Sequence, residues 1–202
     1  AGINTGRLGF LATLNQDLIK NKIEKILKKD FEIEKRSLVE VEFQDKENNL
    51  DFKYALNEIS VSRKNTTSMI KIKTNLNGEF LNSYWADGLI ISTPTGSTGY
   101  SLSCGGPIMS PLSETLSLTP IAPHNLNARP IIIPENTKIE LFVTGREKNH
   151  LLSLDSKIIS LKNGTLIKIK KAEFKIRIAH LYEDNFYKTL RSKLLWGEDK
   201  RN

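Results

Sequence analysis

Apolar residues recur at helical spacing in two parts of this chain and alternate with polar ones through most of the rest. In residues 15–29, "NQDLIKNKIEKILKK", Leu18, Ile19, Lys22, Ile23, Ile26 and Leu27 fall at helical spacing. Asn15 is a cap for the start, and the lysines near the end suit the helix dipole. The period then changes to two. In "SLVEVEF", Val39, Val41 and Phe43 face one way and Glu40 and Glu42 the other. The polar run "DKENN" predicts a turn. Beyond it Leu50, Phe52, Tyr54 and Leu56 alternate with Asp51, Lys53 and Ala55, which predicts a hairpin over 37–62.

A second hairpin is predicted where "TSMIKIKT" and "EFLNSYWA" flank "NLNG", because Asn-Gly supplies the positive φ of a tight turn. Residues 88–92 form a short apolar strand. Further strands are expected in "RPIIIP", "KIELFVT", "HLLSLD", "KIISL", "TLIKIK" and "FKIRIAHL", with "KNGT" as another Asn-Gly hairpin turn. Residues 184–195 return to a helical stripe of Phe186, Leu190 and Leu194. Short strands joined by short turns predict an antiparallel sandwich or barrel with a helix near each end.

The 202 residues suffice for a buried core, and 39% hydrophobic with 26% charged residues is the composition of a soluble globular chain. No segment is a transmembrane candidate. The single cysteine, Cys104, excludes an intrachain disulfide and suits a reducing cytoplasm. The net charge of +7 is compatible with a phosphate-bearing partner, but the lysines are spread out and read more simply as solvated faces. The opening "AGINTGRLGFLATL" reads like the middle of a folded element, so a fragment is expected.

One stretch departs from this lysine-rich background. Residues 87–108, "DGLIISTPTGSTGYSLSCGGPI", run from a short strand into Ser, Thr and Gly with no charge after Asp87. "TGSTG" resembles a nucleophile elbow, but Thr95 stands where the first glycine belongs. His124 and Asp155 could complete a hydrolase triad only if the fold brought them together. A P-loop needs a lysine that residues 94–106 lack. Backbone N–H groups beside glycine could still hold phosphate. His124, His150 and His180 lie far apart, which gives no metal cage. Glu58 is a separate case. Regular continuation of the strand points it inward, where a carboxylate needs a partner such as ribose hydroxyls. A bulge at the strand end would turn it to water instead, and the residues alone favour that.

Together these stretches resemble the NAD kinase family. "GINTGRLGFL", the Asn57–Glu58 pair, the run 87–108, "PIAPHNLNARPIIIP", "DSK" at 155–157 and "LRSKLLWG" occur in that family's order, over essentially the whole chain. The resemblance implies transfer of a phosphoryl group from ATP to the adenosine-ribose 2′-hydroxyl of NAD, giving NADP. It implies a mainly β, antiparallel sandwich domain. The family's Gly-Gly-Asp-Gly motif, with its catalytic aspartate, is absent from this sequence. No catalytic residue is therefore assigned, and this piece alone is expected to be inactive.

The implied organisation is a remnant of an N-terminal α/β domain at 1–12, a β-rich dinucleotide-binding domain at 13–181 and a C-terminal helix at 182–202 that packs toward the first domain. Asn57 and Glu58 match the pair that binds the NAD ribose and adenine. Asp87 matches an acid that meets the dinucleotide, often from a neighbouring subunit. Thr98, Gly99, Tyr100, Ser101, Leu102 and Ser103 match the run lining that site, with Gly99 replacing an alanine. Lys157 stands where glutamine is frequent, and Ser68 and Trp85 where basic or imidazole groups are. The implied ligands are NAD and ATP, with Mg²⁺ carried by the nucleotide. The implied state is a cytoplasmic homo-oligomer that binds neither nucleic acid nor membrane. The rival is a β module for nucleic-acid binding or assembly, suggested by the lysine strands "MIKIKT" and "TLIKIKKAEFKIRI".

Overall fold

The alternating segments build two six-stranded antiparallel sheets, seen in a computed structural model that describes residues 10, 19–44, 50–65, 68–181 and 185–194. The first sheet has the spatial order β2 (Tyr54–Ala55), β1 (Glu32–Phe43), β12 (Leu166–His180), β9 (Ile139–Thr144), β4 (Ile70–Leu76), β5 (Glu79–Ala86). The second has the order β11 (Lys157–Lys162), β10 (Asn149–Leu154), β3 (Glu58–Arg63), β6 (Gly88–Ser92), β7 (Thr115–Ile121), β8 (Ile131–Pro134). Helices are few: α1 (Ile19–Leu27), the one-turn α2 (Tyr100–Ser103) and α3 (Phe186–Leu194). Ser37–Lys175 make one compact unit, and the described parts of 1–36 and 176–202 make another. Among the described residues no helix is long and apolar enough to cross a membrane.

Period-two alternation lets each strand give one apolar face to a shared core. Val39, Val41, Ile72, Leu141, Val143 and Ile167 from the first sheet join Ile59, Val61, Leu89, Ile91, Leu118 and Leu152 from the second in one buried cluster. Each such side chain contributes about 1.5–3 kcal/mol when fully buried. The predicted Asn-Gly hairpin is present: β4 pairs with β5, and Asn77 and Gly78 both have positive φ, 51° and 86°. Strand β6 is buried along its whole length, so its second face is covered too.

Other expectations give way. The alternation over 50–62 is not one hairpin strand. Only Tyr54 and Ala55 pair with β1, and at Glu58 the chain has entered the other sheet. Ala55, not the larger residues around it, faces the core, while Phe52 is exposed and Tyr54 packs edge-on against Phe174. Asn163–Gly164 is not a hairpin turn either, because β11 and β12 lie in different sheets. "TLIKIK" and "FKIRIAHL" are one strand, β12, and β7 forms from "TLSLTPI", an alternation not singled out above. Both predicted helices appear in part. Asn15, Leu18 and the "DKENN" turn lie outside the described residues.

Candidate functional site

The site begins with a problem in the backbone. Where the chain leaves the first sheet at Ala55 and joins the second at Glu58, the N–H groups of Leu56 and Asn57 have no ladder partner, and unpaired backbone N–H groups are costly to bury. Asp155 supplies the partners from the two-residue turn between β10 and β11. Its Oδ2 accepts from the Leu56 N–H at 2.8 Å, and its Oδ1 accepts from Asn57 at 2.8 Å and Glu58 at 3.0 Å. The Asp155 N–H donates back to the Glu58 carbonyl at 3.0 Å.

The opposite side of this tripeptide is held by Thr93. Its hydroxyl donates to the Leu56 carbonyl at 2.6 Å, and its N–H to the Asn57 carbonyl at 2.9 Å. Gly96 then lies directly on Asn57. A Cβ at Gly96 would sit 2.1 Å from the Asn57 carbonyl oxygen, so only glycine permits this approach.

The crossing resets the parity of the strand, and this decides where Glu58 points. Ile59 and Val61 enter the core, so Glu58, Ser60 and Ser62 lie on the outer face of the second sheet. Residues 93–109 cover this face through a 3₁₀ turn at Gly96–Thr98 and through α2. Two contacts fasten the cover. Ser101 Oγ lies 2.9 Å from Thr119 Oγ1 on β7, and the Met109 N–H donates to Ser97 Oγ at 3.0 Å. Glu58 is thus neither in the core nor turned to water. It is half-buried between the sheet and the hydroxyl-rich cover, where a Cβ on Gly99 would be 3.5 Å from Glu58 Oε2. That Oε2 is buried and has no hydrogen-bond partner. Burial, and after it the negative charge of Asp155, pushes the Glu58 carboxyl up to about 7.

The residues singled out in the sequence divide into groups. Asn57 and Glu58 stand together with Thr98, Gly99, Tyr100 and Leu102 around this cover, with Gly99, Tyr100 and Ser103 exposed. Ser101 is turned away: it is fully buried and its hydroxyl is taken up by Thr119, so its side chain supports the wall and does not line it. Asp87 precedes Gly88 at the far end of β6 from Ser92, the residue opposite Glu58, about 17 Å of strand away. There it forms an ion pair with Arg63 at 2.9 Å. Ser68 and Trp85 line a cavity of about 510 Å³ with Arg63, Lys71 and Arg146. Lys157 opens β11, exposed, two residues beyond Asp155. Burial first, then Cys104, Asp87 and Glu58, pushes the Tyr100 hydroxyl up.

Sequence reasoning overlooked Asp155, Thr93, Gly96 and Arg63 as parts of the site. The sequence singles out Asp155 as a hydrolase-triad candidate and within the "DSK" of the resemblance, but not as a partner of the 56–58 backbone. Its partners are nearly a hundred positions away. Among the described residues no three His, Cys, Asp or Glu side chains gather in a metal-holding group.

Known proteins are similar to this chain in sequence and fold. Residues 56–181 match the family model of the ATP-NAD kinase C-terminal domain. The chain is 61% identical over 202 residues to an NAD kinase of Flavobacterium psychrophilum and 57% identical to one of Christiangramia forsetii, covering all of this chain and 69% of each relative. Its structure is similar to that of yeast NADH kinase complexed with NADH, with a TM-score of 0.88 and 28% identity, covering 98% of this chain and 58% of that one. It is also similar to an NAD kinase from Archaeoglobus fulgidus in complex with ATP, with a TM-score of 0.81 and 30% identity over 96% of this chain and 72% of that one. Fold and site together define a nucleotide-binding domain of a kinase. The chain belongs to the NAD kinase family.

Proposed function

We propose that this chain forms the dinucleotide-binding part of an enzyme that transfers a phosphoryl group from ATP to the adenosine-ribose 2′-hydroxyl of NAD. The observation that carries the proposal is Glu58 Oε2, a buried carboxyl oxygen without a partner under an uncharged cover rich in hydroxyls. A carboxylate accepts hydrogen bonds from vicinal ribose hydroxyls, and the exposed Gly99 beside Glu58 Oε2 lets a ligand lie close to the backbone. The absence of a second anion in the 93–104 cover spares the pyrophosphate a repulsion.

Phosphoryl transfer depends on positioning and on electrostatic stabilisation of the transferred group. In this proposal Asn57, Glu58, Thr98, Gly99 and Tyr100 position the nucleoside. Asp87 and Lys157 meet the dinucleotide from elsewhere, Asp87 from a second copy in a homo-oligomer. A divalent ion arrives with ATP as part of the substrate, and the reaction takes place in the cytoplasm. The sequence contains no Gly-Gly-Asp-Gly, so transfer needs a further segment to take the hydroxyl proton, and the chain alone makes little NADP.

Calorimetric titration of NAD, NADP and ATP into the 202-residue chain is the test. Saturable binding of the dinucleotides, lost in Glu58→Ala, is expected. Absence of binding by both NAD and NADP would sink the proposal.

A further inference from the structure

The backbone around Asn57 and Glu58 is held more firmly than a simple strand crossing requires. All three N–H groups of Leu56, Asn57 and Glu58 end on one carboxylate, and the carbonyls of the same three residues end on Thr93 and on the Asp155 N–H. Asp155 adopts a φ of 49°, a left-handed conformation that disfavours side chains. A glycine would fit that turn with less strain, yet glycine has no carboxylate to reach back. Asparagine would also fall short. Its side chain offers one acceptor oxygen in place of two, and its NH₂ would face one of the three N–H donors.

We propose that Asp155 is the positioning residue of the Asn57–Glu58 pair: its carboxylate fixes the backbone that aims both side chains, and so governs dinucleotide binding without touching the dinucleotide. The inference rests on the proposed function for its ligand, but its structural content can be tested without one. Asp155 also acts on Glu58 electrically, as the neighbouring anion. The other titratable groups around Glu58 are Tyr100 and Cys104 on and beside α2, and both are held protonated, each chiefly by burial. Asp155 is thus the charged neighbour that disfavours ionisation of Glu58.

Two variants carry the test. Asp155→Asn keeps the shape and removes the charge. Asp155→Gly relieves the strained φ and preserves the turn, so it remains folded if the isosteric change does not. Three quantities are read in each: amide exchange at residues 56–58, the NMR titration of the Glu58 carboxyl, and NAD affinity by calorimetry at pH 8.5, where Glu58 is ionised in every variant. Exchange at these three amides should accelerate about tenfold or more, and NAD affinity should fall about tenfold, the scale of a lost hydrogen bond to a charged group. The Glu58 midpoint should move down in part and stay above the ordinary glutamate range, because burial, the larger cause of its rise, remains; a fall all the way to that range would instead report exposure of the carboxyl through lost structural support.

Unchanged exchange and an unchanged Glu58 midpoint in both variants would overturn the inference. So would variants that lose the amide protection yet bind NAD as tightly as the parent. If the parent chain binds no dinucleotide, the proposed function fails, while exchange and titration still decide whether Asp155 positions the pair.

Discussion

The chain changes sheets six times among the described strands, and two of these crossings, Ala55–Glu58 and Lys162–Leu166, meet the same need in different ways. Each strands backbone N–H groups, taken up at the first by the Asp155 carboxylate and at the second by backbone carbonyls. At the second crossing Asn163 satisfies its own amide inside the protein. Its Oδ1 lies 2.9 Å from His150 Nδ1, and its Nδ2 donates to the Glu147 carbonyl at 2.7 Å. The Asn163 and Gly164 N–H groups find the carbonyls of Lys148 and Val143. At the first crossing Asp155 is consumed by the backbone, and the side chain that follows, Glu58, is left without a partner. Both crossings leave a buried polar atom without a partner, His150 Nε2 at the second and Glu58 Oε2 at the first, but His150 is fully buried while Glu58 lies half-buried under the hydroxyl-rich cover.

The two titratable groups beside the crossings show the same contrast. Burial, then Asp155, raises the Glu58 carboxyl, and burial lowers the fully buried His150, partly opposed by its Asn163 hydrogen bond. Both groups are driven toward neutrality, but Glu58 is half-buried and His150 fully buried. In the proposed function this difference gives Asn163–His150 a part in stability and Asp155–Glu58 a part in binding.

The largest effect is expected from Gly96→Ala. Its Cβ would meet the Asn57 backbone, not a yielding side chain, so about 3 kcal/mol of stability should be lost in urea unfolding, together with NAD binding. Asn163→Ala should cost about 2 kcal/mol by leaving a buried imidazole and the Glu147 carbonyl unpaired, and NAD affinity should not change. A matching loss of affinity would erase the distinction between the crossings. Glu58→Gln should gain about 1 kcal/mol of stability at pH 8 while weakening NAD binding, because a half-buried charge is removed.

The pH dependence of stability sharpens the same point. Glu58 holds its proton more tightly folded, with the carboxyl near 7 against an ordinary 4.5. It therefore costs stability as pH rises from about 4.5 to 7, and Glu58→Gln should flatten that limb. His150 is lowered from 6.5, so its contribution is full above 6.5 and is lost on acidification through its folded pKa. His150→Gln should flatten the acid limb. Both limbs can be read from chemical unfolding over pH 5–8.

Much of this architecture was legible in the sequence. Period-two alternation marked most strands and Asn77–Gly78 marked its hairpin, while the uncharged run after Asp87 stood out without showing that it covers Glu58. Alternation reports which face a residue occupies but not which sheet a strand joins. For that reason 50–62 read as one hairpin strand, with Glu58 pointing inward if it ran on or turned to water by the favoured bulge, and Asn163–Gly164 read as a hairpin turn. Ser101 read as lining because its neighbours do, although one position on a helical turn reverses its direction. Asp155 was the hardest to recognise, since its role exists only through partners 97 to 99 positions away.

The central claim is that Glu58 is an open carboxyl kept for the ribose of NAD. Calorimetry of NAD binding to the chain and to Glu58→Gln at pH 6 and pH 8 tests it most directly. A carboxyl near 7 is mostly protonated at the lower pH and ionised at the higher. The parent should therefore bind NAD roughly tenfold more tightly at pH 8. Glu58→Gln should bind weakly and equally at both. A parent affinity independent of pH, or a Gln variant that binds like the parent, would contradict the account.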